Sequence, residues 1–233
     1  HHGVHVHTNT KVQDIRYNYD RFTLQTDTAI FTAKVAAGAF GKRSNLDIKW
    51  KRKFAVAKPD ALNNWIGVKY HIRYPWKIDR IALHNFNHGY CGISAIEDNK
   101  CCLCYLTTAD NLRNAGNAIP AMEKKVLYRN PHLQHIFSTA EFLYDHPLAI
   151  SQVSFQQKQQ VEQHVLMVGD AAGLIAPICG NGMSMAMHAS KLAFEQINAF
   201  LKGQITREAM EQHYTRSWRR EFSRRLLTGR TVQ

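Results

Sequence analysis

Apolar and polar residues alternate along the amino-terminal part of the chain and give way to a three-to-four-residue spacing towards its end. Val4 and Val6 share one face, with His5 and His7 on the other. Val12 to Ile15 form a second short strand, and Arg21 to Gln25 with Ala29 to Ala37 predict a hairpin turning near Thr26-Asp27. Val165 to Val168 is an unbroken apolar run with β-branched ends, the pattern of a strand covered on both faces. Beyond it Met183, Ala186, Met187, Ser190, Ala193, Ile197 and Phe200 fall three or four apart. They predict a helix from about Met183 to Leu201 with that stripe inside. Tyr214, Trp218, Phe222 and Leu226 recur every four residues within Thr206 to Arg230, so a second helix carries one aromatic-apolar stripe ringed by arginines.

Between these regions the pattern is mostly strand. Phe54 to Ala57 and Trp65 to Tyr74 are expected as strands. Gly89 to Ile96, a turn at Glu97-Asp98-Asn99-Lys100, and Cys101 to Thr107 make the clearest hairpin. Helices are expected over Ile119 to Tyr128 and His132 to Leu143, parted by Asn130-Pro131. Ile150 to Phe155 returns to the sheet, and a polar, Gln-rich link from Gln156 to Gln163 leads to the central strand. The fold class expected is α/β (α+β).

A chain of 233 residues, 45% hydrophobic, can bury one large core or two smaller ones. Its apolar runs are only a handful of residues long, so no transmembrane segment is expected. There is no signal-peptide pattern, and the 5 cysteines include no Cys-x-x-Cys pair, which disfavours zinc and thioredoxin-type chemistry and fits a reducing, cytoplasmic setting. Cys102 and Cys104 share one strand face and Cys101 the other. His1, His2, His5 and His7 suggest either a zinc site or a tag remnant and strand surface; with no acid or cysteine nearby to complete a ligand set, no metal is expected. The net charge of +12 favours anionic partners without identifying one. Lys49, Lys51, Arg52 and Lys53 read as a solvated rim.

The central strand runs into Gly169-Asp170-Ala171-Ala172-Gly173, then Pro177, then Gly180-Asn181-Gly182-Met183 at the helix start. Gly169 permits a tight turn, which leaves Asp170 at the carboxyl end of a strand, where open α/β sheets place ligands. The helix's first turn has no acid, so the positive end of its dipole is free to meet an electron-rich group. A carboxylate facing a bare helix start suits a ligand with hydroxyls and a negative edge. A plain strand-loop-helix crossover with glycines for packing explains the same spacing. Cys179, in this loop, either touches such a ligand or is a small buried packing residue.

Val168-Gly169-Asp170-Ala171-Ala172-Gly173, with Pro177, Gly180-Asn181-Gly182-Met183, Ala186 and Ala189, resembles the second flavin fingerprint of an FAD enzyme superfamily. That superfamily includes p-hydroxybenzoate hydroxylase, the geranylgeranyl reductases and the flavin halogenases. The resemblance implies that Asp170 hydrogen-bonds the ribityl chain and that Gly180 to Met183 lie against the isoalloxazine ring. Thr10-Lys11-Val12, and the stretch ending Val35-Ala36-Ala37-Gly38-Ala39-Phe40-Gly41-Lys42-Arg43-Ser44, are similar to another part of the same superfamily. There the pattern reads Gly-x-Asp-Gly-x-x-Ser; this chain keeps Gly38, Gly41 and Ser44 but has Phe40 in place of the acid. The hairpin from Gly89 resembles the sheet that covers the flavin in the substrate domain, where Tyr90, Trp65 and Trp76 either line an apolar pocket or pack as core. The halogenases' Trp-x-Trp-x-Ile-Pro motif is absent.

No Gly-x-Gly-x-x-Gly occurs among the 13 glycines, so the unit that holds the ADP half of FAD is missing, and a partial chain is expected. The resemblance implies a partial FAD-binding, Rossmann-like domain from residues 1–45 and 156–203, with a mostly antiparallel β-sheet substrate domain inserted at 46–155 and a helical segment at 204–233. The function expected is an FAD-dependent oxidoreductase, of reductase or monooxygenase type, acting on an apolar or aromatic small molecule, with NAD(P)H or another donor supplying electrons. Cofactor contacts are expected at Gly169, Asp170, Ala171, Pro177, Gly180, Asn181, Gly182 and Met183, and through backbone at Val12, Ala37 and Gly38. No catalytic acid or base is assigned and no nucleic-acid partner is expected. The alternatives are a basic nucleic-acid-binding module that uses the Arg-rich helix, and an inactive flavoprotein fragment.

Overall fold

The computed structural model describes residues 3–58, 60, 62 and 64–232, and they form two compact units. One comprises the chain to Ala57 and from Phe155 onwards, and the other runs from Lys58 to Ser154.

The first unit opens with an antiparallel meander of β1 (Val12–Asn18), β2 (Arg21–Thr26) and β3 (Ile30–Ala33). Tyr19 and Asp20 both sit at positive φ, the two-residue turn that matches strand twist. Thr26 closes the next turn, its hydroxyl donating to the Ala29 carbonyl at 2.7 Å. The expected hairpin arm from Ala29 to Ala37 ends early. Ala37 and Gly38 form β4 (Ala37–Gly38) in a separate sheet. Two short helices follow, α1 (Asn45–Lys49), with a Ser44/Asp47 capping box, and α2 (Lys53–Val56). Phe54 to Ala57, expected as a strand, is therefore largely helical: Phe54 is buried beneath two cations, with Lys158 Nζ 4.2 Å and Arg52 Cζ 5.1 Å from its ring centre. Both helices belong to this unit, although residues 46–57 were expected in the inserted domain.

The second unit is one antiparallel sheet. Its strands are β5 (Trp65–Arg73), β6 (Ile81–Phe86), β7 (Gly89–Ala95), β8 (Cys101–Thr108) and, after the helices α3 (Ala109–Arg113), α4 (Ile119–Val126) and α5 (Pro131–Thr139), β9 (Glu141–Phe142) and β10 (Leu148–Val153). The order is β10-β5-β8-β7-β6, with β9 against the end of β5. Asn130 caps α5 and Pro131 starts it, but the helix stops at Thr139 rather than Leu143, because Glu141 and Phe142 pair with β5. One sheet face packs Val68, Ile72, Cys101, Leu103 and Tyr105 against Met122, Leu133 and Ile136. The expected facing of the cysteines holds: Cys101 is buried with Leu103 and Tyr105, and Cys104 is exposed.

Returning to the first unit, β11 (Val161–Glu162) and β12 (Val165–Met167) complete a small sheet ordered β11-β12-β4, in which β12 and β4 run parallel. Val165, Leu166 and Met167 are fully buried, as a strand covered on both faces must be. Helix α6 (Gly182–Leu201) follows, then α7 (Arg207–Val232). The stripe expected on α7 is inside, since Met210, Tyr214, Trp218, Phe222 and Leu226 all join this core, and the Tyr214 hydroxyl donates to the Met167 carbonyl. The carboxyl-terminal helix is thus one wall of the first unit's core. On α6 the expected stripe holds in the second half, where Ala193 is buried and Ile197 and Phe200 pack on the core, and fails in the first, where Met185 and Ala189 are buried while Met183 is 84% and Met187 70% exposed.

Candidate functional site

The parallel pairing of β12 with β4 sets two turns side by side at the strands' carboxyl ends. After Val168, Gly169 takes φ +58, and one tight helical turn carries Asp170. After Gly38, the chain turns through Ala39, Phe40 and Gly41. The start of α6 closes the third side. A groove of about 400 Å³ lies between Ala39 and Gly41, the strand end Val168 to Asp170, and the first turns of α6 at Gly182, Met183, Ala186 and Ser190. Glycine suits position 169 through its positive φ, and a Cβ there would touch the Ala186 Cβ at 3.4 Å, an ordinary contact.

Polarity in the groove is concentrated at two places. Asp170 is half-buried; burial pushes its carboxyl up, while the charge of Lys158 opposes that. Across from it, Asn181 precedes α6 without capping it through its side chain, and no acid lies in the first turn. The Asn181 carbonyl accepts from Met185 N, which leaves the earlier amides of Gly182, Met183 and Ser184 outside the helical ladder. Asn181 Oδ1 is itself buried without a hydrogen-bond partner. A half-buried carboxylate and open amide donors at Gly182 and Met183 on one groove fit a ligand with hydroxyls and an electron-rich edge; Asn181 itself is not among the residues that line it.

Three side chains hold the Asp170 turn by its carbonyls. Lys158 Nζ donates to Asp170 O at 2.7 Å, Arg52 Nη1 to Ala171 O at 3.1 Å, and Gln160 Nε2 to Ala172 O at 3.2 Å. Lys158 also donates to Lys42 O at 2.7 Å, which ties the two turns that border the groove to one ammonium. Arg52 is only 3% exposed and pairs with Asp47 at 2.8 Å, so it is no solvated rim residue. None of these clamps was expected.

Of the predicted contact residues, Gly169, Asp170, Gly182 and Met183 line the groove together. Pro177, Gly180 and Asn181 belong to the loop that leads into α6, where Gly180 takes φ +64. Ala171 is fully buried and its methyl joins the core. Val12, Ala37 and Gly38 are not among the lining residues. Val12 packs on the core, and its carbonyl accepts from Asn45 Nδ2 at 3.1 Å. Phe40 packs over Gly38: a Cβ there would meet the Phe40 ring at 2.6 Å and Met167 Sδ at 2.8 Å. Ala39, Gly41 and Ser190 line the groove unforeseen; the Gly38-to-Ser44 resemblance was the available signal for the first two.

Cys179 is exposed, not buried packing, and all five cysteines are free. His7 packs on Phe31 with ring centres 4.8 Å apart, and His1 and His2 lie outside the described residues. Among the described residues, no three His, Cys, Asp or Glu side chains are grouped as a metal site would need, and no helix is long and apolar enough to cross a membrane.

No protein-family model matches the chain. A stretch of 76 residues is 33% identical to Conditioned medium factor receptor 1 of Dictyostelium discoideum; it covers 32% of this chain and 15% of that protein. Among solved structures, the flavin-dependent halogenase CmlS superposes with TM-score 0.74 at 18% identity, over 95% of this chain and 42% of that one. The halogenase PltM, solved in complex with phloroglucinol and FAD, superposes with TM-score 0.65 at 16% identity, over 89% of this chain and 46% of its own. The chain therefore spans less than half the length of these two structures, with which it shares a fold.

Proposed function

We propose that the groove at the carboxyl end of β12 binds FAD, and that the chain is part of an FAD-dependent oxidoreductase of reductase or monooxygenase type acting on an apolar or aromatic small molecule. One observation carries this reading: the Asp170 carboxyl and the uncapped start of α6 border the same groove. The carboxylate accepts hydrogen bonds from the hydroxyls of a ribityl chain. Amides of Gly182 and Met183, backed by the helix dipole, meet the electron-rich edge of the ring. Pro177 and Gly180 shape the loop that presents them. When bound, FAD supplies the redox chemistry, by hydride transfer or by activating oxygen. The protein's part is to hold and orient it, so we assign no side chain as acid or base. The flavin dependence of the two structural neighbours, and the aromatic ligand of one, support the cofactor and substrate class. NAD(P)H or another donor would supply the electrons, and the free thiols suit a cytoplasmic setting.

Titration of FAD with the purified chain, followed by flavin fluorescence, tests this. Saturable quenching is expected, weakened about tenfold or more in Asp170→Ala, since a charge-assisted hydrogen bond is worth about 1.5–3 kcal/mol. Unchanged fluorescence would refute it.

A further inference from the structure

A second cavity, of about 420 Å³, lies between the Gln157–Gln160 segment and the carboxyl-terminal half of α7. Lys158, Arg219, Arg224 and Arg230 all line it, and no aspartate or glutamate does. Trp218 lines it too; it is 3% exposed, and its indole N–H is buried without an acceptor. Arg230 Nε is also buried and unpartnered, and burial pushes that guanidinium down from its ordinary value. Arg219 is aimed in advance, donating to Gln160 Oε1 at 3.1 Å and Gln159 Oε1 at 3.3 Å.

Each orphaned donor costs about 1–3 kcal/mol when no acceptor replaces water, and cations gathered around one cavity with no acid among its lining residues repel one another. An incoming anion removes both penalties at once. Diffuse attraction between exposed arginines and a polymer would not need a recessed cavity or buried N–H groups. A cavity of this size suits a small molecule.

We propose that this cavity is a binding site for a small polyanion carrying two or more phosphate or carboxylate groups. The arginines neutralise it, and the Trp218 N–H and Arg230 Nε–H supply directed hydrogen bonds. The site stands independently of the flavin reading.

Calorimetric titration with inorganic pyrophosphate, and separately with citrate, tests the site and distinguishes the two chemistries. Saturable one-to-one binding of at least one of them is expected, about tenfold weaker in Arg230→Gln and in Trp218→Phe and unchanged in Arg225→Gln, an exposed arginine outside the cavity. If Arg230→Gln fails to fold, Arg224→Gln, on an exposed residue, gives the same reading. The proposal is overturned if neither anion saturates, or if Arg225→Gln weakens binding as much as the cavity variants do. It is also overturned if a single-stranded oligonucleotide binds far more tightly than both anions and the cavity variants do not affect that binding.

Discussion

Lys158 is a buried cation that ties two turns together, and its environment gives it a pH signature. Asp47, Asp170, Arg52 and Lys42 act on its charge, and the Phe54 ring lies against it. Desolvation dominates and pushes the ammonium from an ordinary 10.5 down to about 8. Between those values the unfolded chain holds the proton more often than the folded chain, so this group makes stability rise with pH from about 8 towards 10.5. Lys158→Met removes the titration. Denaturant unfolding of both proteins should show the wild type gaining about 2 kcal/mol more than the variant between about pH 7 and pH 10. Parallel pH profiles would mean that Lys158 is not buried as described. The position of Asp170 at the carboxyl end of a strand was legible from the sequence because its neighbours form an ordered local pattern. Lys158 and Arg52 were not, because partner carbonyls of each lie far along the chain: Lys158 reaches Lys42 across 116 positions and Arg52 reaches Ala171 across 119. A lysine in a Gln-rich stretch, or an arginine among lysines, carries no local mark of burial.

At the scale of elements, period alone separated helix from strand in the long segments and failed where both faces of an element are apolar. The first half of α6 carries Met183, Met185, Ala186, Met187, Ala189 and Leu192, so several stripes fit its spacing. The neighbouring helix decides among them, and α7 takes Met185, Ala189 and Ala193 into the shared core. On α7 only one aromatic stripe exists, and it was read correctly. The two-residue strand β4 is defined by its partner β12, which no local pattern in Ala29 to Ala37 announces. The same packing explains Gly173. A Cβ there would lie 2.7 Å from Trp218 Cη2 and 3.3 Å from Leu226 Cδ1, both on the buried face of α7. Gly173→Ala should therefore destabilise the chain by about 1–3 kcal/mol, lowering its melting temperature by several degrees, with partial recovery when Trp218→Phe is added. A neutral single substitution, read by thermal unfolding, would show that this contact is loose.

For the whole molecule, the sequence placed a strand-rich segment within a larger α/β unit, but it set the first crossing earlier than Ala57, where the structure has it. The framework extends to Ala57 because Phe54 and Arg52 are buried within it, and Arg52 holds the Asp170 turn. That arrangement ties the candidate groove to residues on both sides of the insertion. The central claim is that one ligand is held at once by the turn at Asp170 and by the start of α6. Amide hydrogen exchange with and without FAD tests it most directly. Binding should slow exchange together at residues 169–171 and at residues 182–184, while the amides of α7 around Arg224 stay unchanged. Protection at only one of the two places, or at neither, would contradict the account.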